Sequence, residues 1–74
     1  MNKKYSGSVT VEGNEWTDGS GKYYSAVITI NKLDENNQYR LWDKEAVEVI
    51  FTSRAKMFNR AWKIMEDRVK GLNA

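Results

Sequence analysis

The chain has 74 residues, with 12 Lys and Arg against 10 Asp and Glu, and neither Cys nor His. That length supports one domain, near the lower limit for a core without staples. The missing residue types exclude disulfides, thiolate chemistry and zinc or copper sites of the ordinary kind. The net charge of +2 and pI near 9.0 permit an anionic partner without requiring one.

Met1-Asn2-Lys3-Lys4 is followed by Tyr-Ser-Gly-Ser rather than by an apolar run, so no signal peptide is expected. No stretch reaches the length of a membrane span. The expectation is a cytoplasmic protein with no membrane partner.

The first strand is predicted over about 5–17. Val9 and Val11 alternate with Ser8, Thr10 and Glu12, the period of a half-buried strand. Gly13-Asn14 reads as a bulge, which would shift parity and return Trp16 to the face of Val9 and Val11. Asp18-Gly19-Ser20-Gly21 is a hairpin turn. A second strand covers 22–32, with Tyr24, Ala26, Ile28 and Ile30 on one face and Tyr23, Ser25, Val27 and Thr29 on the other. Leu33-Asp34-Glu35-Asn36-Asn37 is a second turn, and a third strand covers 38–42.

Residues 43–52 fit two patterns. Val47, Val49 and Phe51 alternate and are largely β-branched, which favours a strand over 46–51. Val47, Phe51, Ala55, Phe58, Trp62 and Met65 also share one helical face, which would give a long helix from Lys44 capped by Asp43. The strand is the preferred reading. A helix over 53–70 then follows, capped by Thr52 or Ser53 and ended by Lys70-Gly71. Its apolar arc of Ala55, Met57, Phe58, Ala61, Trp62, Ile64, Met65 and Val69 spans about half the wheel, enough to cover a sheet. Arg54 and Arg68 lie beside that arc. The predicted fold is α+β: a three-stranded antiparallel meander, four-stranded if 46–51 pairs separately, packed on one C-terminal amphipathic helix.

Catalysis finds little support. Without His or Cys a general base would be a carboxylate, Lys or Tyr, and the acids are scattered over turns and solvent-facing positions. Gly19-Ser20-Gly21-Lys22 fails the phosphate-loop pattern, with Trp at 16 and Tyr at 23. Asp34-Glu35-Asn36-Asn37 lacks the spacing of a calcium loop. No cofactor is expected, and a non-enzymatic binding module is.

Two surfaces are candidates. The sheet face away from the helix would carry Tyr23, with Arg40 and Trp42 beside it if the third strand has that parity, and Lys22 nearby. Such a face can stack on bases and hydrogen-bond to phosphates. Trp42 is equally readable as core. The second surface is a cationic ridge of Lys56, Arg60, Lys63 and Lys70. Residues 54–70 hold six basic and two acidic residues, whereas the first 53 hold six and eight. The spacing of Lys63, Asp67 and Lys70 predicts pairing within the helix. A membrane-surface role would need Phe58 and Trp62 to leave the core.

The order of elements, three antiparallel strands and then a helix, resembles the arm-binding domains of phage and transposon integrases and the ethylene-response domains of plants. The likeness is one of layout and carries over no contact residue. It implies a sheet docked in the major groove of DNA. The leading expectation is therefore nucleic-acid binding. The alternative is a protein-binding accessory or inhibitor of phage or mobile-element type, meeting an acidic protein surface or acting as a homodimer through a sheet edge or face.

Overall fold

The computed structural model describes residues 4–74. Residues 1–3, on which part of the signal-peptide expectation rests, lie outside them. Three strands, β1 (Tyr5–Glu15), β2 (Lys22–Leu33) and β3 (Tyr39–Phe51), form one antiparallel sheet in the order β1-β2-β3, followed by a helix, α1 (Arg54–Asn73). The predicted α+β meander with one C-terminal helix is what forms.

Turn chemistry joins the strands as expected. Asp18 Oδ1 accepts from the Ser20 amide at 2.9 Å, and Gly19 takes φ 73°, where a side chain would be strained. Asp34 Oδ1 accepts from the Asn36 and Gln38 amides, both at 2.9 Å, and Asn37 takes φ 60°.

The Gly13-Asn14 bulge does not occur. The β1–β2 register runs unbroken from Tyr5↔Lys32 to Glu15↔Lys22. Gly13 serves another need: a Cβ there would meet Tyr24 Cε1 at 3.2 Å, so the glycine makes room for its cross-strand ring. Without a parity shift, Trp16 stays on the face of Tyr23, opposite Val9 and Val11. The register breaks are in β3, opposite Tyr24/Ala26 and Ile30/Asn31. Residues 43–52 are thus neither a separate strand nor a helix. The expected 38–42 and 46–51 segments are two parts of one strand, bent where a residue is inserted.

One sheet face carries Ala26, Ile28 and Ile30 of the central strand, and against them lie Met57, Ala61 and Met65 of α1. These six are the buried apolar core among the described residues, and no polar side chain among them is buried. The helix rides chiefly over β1 and β2 and touches β3 least. At Gly7 it comes so close that a Cβ would fall 2.5 Å from Met65 Sδ and 3.1 Å from Val69 Cγ2. Ser53 is the N-cap, with its hydroxyl accepting from the Lys56 amide at 3.4 Å. At the other end α1 runs past Gly71, because Leu72 packs on the core and Asn73 binds Tyr5.

The apolar arc is narrower than the wheel implies. Phe58 and Trp62 are 42% and 41% exposed, and their rings stack at 5.6 Å. A helix over two of three strands buries only the centre of its arc, and its flank overhangs.

Candidate functional site

The expected site residues fall on separate surfaces. Tyr23 is on the open sheet face, stacked on Trp16 with ring centroids 4.3 Å apart. Asn14, its cross-strand partner, donates there from Nδ2 to Ser25 Oγ at 3.2 Å. Lys22 pairs with Glu15, so alternation sets it on the opposite, helix-bearing face.

Arg40 and Trp42 do not join Tyr23. The bulge opposite Ile30/Asn31 reverses parity at this point, and Arg40 pairs with Lys32, on the side of Ile30. Arg40 Nε donates to Asp34 Oδ2 at 2.7 Å. The Trp42 ring meets Tyr5 edge-on at 5.3 Å, and Lys32 Nζ lies 5.7 Å from the Tyr5 ring centre. Trp42 is nevertheless 45% exposed, so it is neither core nor part of the open face. Tyr5 escaped notice in the sequence, and Trp16 was expected on the face of Val9 and Val11. Unshifted parity in β1 is the signal that places both.

The open face is almost neutral. Its paired rows, from Ser6–Asn31–Leu41 to Asn14–Tyr23, contain one cation, Lys44, and one anion, Glu12. The rest is hydroxyl, amide and apolar.

The ridge is different. Lys56, Arg60, Lys63 and Lys70 are all exposed. Among the described residues none of the four forms an ion pair, and the expected pairing through Asp67 is absent. The ion pairs of α1 are all made by Arg68, whose guanidinium donates to Asp43 at 2.7 Å and Glu45 at 2.6 Å. The Arg68 hydrogen bond, and after it the Lys44 amide, hold the Asp43 carboxyl below its ordinary range; the Asp43 bond is in turn the main cause that raises Arg68. Asp34 is lowered by the Gln38 amide and then by Arg40, and Asp18 by Ser20. These acids lock turns and the helix–strand contact and are not spent on the ridge, whose four cations have Glu66 and Asp67 as their acidic neighbours on α1.

Among the described residues no cluster of side chains could hold a metal ion, and no helix is long and apolar enough to cross a membrane. In comparisons with known proteins, the chain matches no family model, no curated protein and no solved structure.

Proposed function

We propose that this chain is a non-catalytic binding module for nucleic acid, working in the cytoplasm, and that it meets phosphate on the α1 ridge rather than on the open sheet face. The observation that carries this reading is the set of four exposed, unpaired cations at 56, 60, 63 and 70. Phosphate neutralisation supplies most non-specific affinity for nucleic acid, and a face whose paired rows carry one cation and one anion supplies little of it. Docking the sheet in a major groove, as the layout suggests, would need phosphate-binding side chains around that face.

The test is binding of mixed-sequence duplex and single-stranded DNA across a salt series. The expected log affinity falls linearly with log salt, by about 0.9 per phosphate contact on duplex. The K56Q/R60Q/K63Q triple variant should lower that slope by up to about 3. Absence of binding at low salt, or a slope the variant does not change, ends the reading.

A protein-binding accessory is the second reading. What favours it is that β3 exposes Tyr39 and Leu41 on the open face and Trp42 on the other side, by 48%, 64% and 45%, since aromatic side chains anchor protein interfaces. Its affinity would respond to Leu41 and Trp42 and weakly to salt.

A further inference from the structure

The two edges of the sheet are unlike. β3 is bent by two register breaks and carries Arg40, Asp43, Lys44, Glu45 and Glu48, the features that keep an edge from pairing. β1 has an unbroken register with β2 and no Pro or Lys, and no charge before Glu12. Its free hydrogen-bonding groups can be assigned. Leu33 N donates to Lys4 O at 2.6 Å, so the even residues of β1 face β2. Tyr5 N donates to Asn73 Oδ1 at 2.9 Å and Tyr5 O accepts from Asn73 Nδ2 at 3.0 Å, so the odd residues face outward. Asn73 thus stands in for a partner strand at Tyr5. The N–H and C=O groups of Gly7, Val9, Val11 and Gly13 point outward beyond it.

We infer that this edge binds β1 of a second copy, antiparallel, about a two-fold axis at Thr10. Val9 then pairs with Val11 of the second copy, and Gly7 with Gly13, through their outward groups. Glu12 comes opposite Ser8, so no like charges meet. The helices fit the same axis. Strands lie about 4.8 Å apart, so a helix over β1 and β2 stands about 4.8 Å from the axis. The two helices then lie about 10 Å apart, near helix packing distance.

The level matches too. Gly7 sits beneath Met65 and Val69, and Asn73 lies at Tyr5, so α1 runs opposite to β1. Thr10 is three residues beyond Gly7, about 10 Å of strand, which equals about seven residues of helix. That advance reaches the level of Phe58 and Trp62. Trp62 lines the groove between α1 and β1 together with Tyr5, Gly7 and Val69. The exposed stack would be buried against its symmetry copy, while the ridge stays accessible. The inference does not rest on nucleic-acid binding.

The test uses sedimentation equilibrium and a disulfide probe. The wild-type mass should rise with concentration from 8.6 kDa toward twice that value. F58E/W62E, both at exposed positions, should weaken association by about tenfold or more while circular dichroism shows it folded. The chain has no cysteine of its own, so T10C reports cleanly. Facing non-hydrogen-bonded positions lie within disulfide reach, and T10C should oxidise to a covalent dimer at least about tenfold faster than T29C on the central strand. A monomer at all concentrations, or a dimer in which T10C has no advantage over T29C, overturns the inference.

Discussion

Asn73 clasps Tyr5 with both ends of its amide, donating to the Tyr5 carbonyl and accepting from its N–H, across 68 positions of sequence. Both bonds are partly buried, and they hold the last turn of α1 on the first residue of β1. Asn73→Ala leaves two backbone groups without that partner, and a cost of about 1–2 kcal/mol is expected. Thermal unfolding should shift down by about 5–10 °C. Asn73→Asp keeps the acceptor but sets a carboxylate oxygen against the Tyr5 carbonyl at the C-terminal end of α1, and should cost at least as much as Asn73→Ala.

Gly7 and Met65 give a second stability test. A Cβ at position 7 would fall 2.5 Å from Met65 Sδ and 2.6 Å from Cγ, inside a packed core. Gly7→Ala should destabilise by about 1–3 kcal/mol in urea unfolding. Met65→Ala costs stability by itself through the cavity it leaves, yet it returns the space that Gly7→Ala needs. The double variant should therefore be more stable than the sum of the two losses predicts, a coupling that a double-mutant cycle measures.

Arg68 sets an acid dependence. Asp43 titrates below its ordinary range in the folded chain because of the Arg68 hydrogen bond. A lowered carboxylate stabilises fully above the unfolded-state value of about 4, and that contribution is lost as pH falls through the folded value. Arg68 itself is shifted upward and stays charged throughout. Arg68→Met should thus lower the urea midpoint more at pH 7 than at pH 3. An equal loss at both would mean that the Arg68 stem, not its ion pairs, supplies the effect.

The partition of the cations predicts which variants alter binding. Arg40→Ala with Trp42→Ala removes a cation already paired to Asp34 and a ring set against Tyr5. DNA affinity should stay within about twofold at fixed salt, whereas the ridge triple variant changes both affinity and slope. Titration of the two variants side by side gives the comparison.

The strands and turns were legible because their signals are local. Period-two alternation fixed the inward face of β2, and Asp, Asn and Gly marked both hairpins. Alternation of Val47, Val49 and Phe51 correctly outweighed the competing helical face. The candidate site was less legible. Its assembly depended on parity in β3, and a one-residue insertion near Trp42 leaves no Gly or Pro to announce it. Gly13 drew the bulge expectation to β1, although its role is to admit the Tyr24 ring. Phe58 and Trp62 were assigned to the core because a helical wheel describes the helix without the width of the sheet beneath it.

The off-centre seat of α1 has a consequence for how the molecule opens. β1 and β2 are clamped by the buried helix residues and by Asn73, whereas β3 is held by its ladder, by Phe51 and Val47 toward one end, by Arg68 at its middle and by the exposed Trp42 ring on Tyr5 toward the other. A strand fixed that way detaches at lower free energy than the whole domain needs to unfold. Amide protons of β3 should therefore exchange with solvent ahead of those that β1 and β2 share. The molecule's most resistant unit is then discontinuous in sequence, an N-terminal hairpin and a C-terminal helix, with the strand between them as its yielding part.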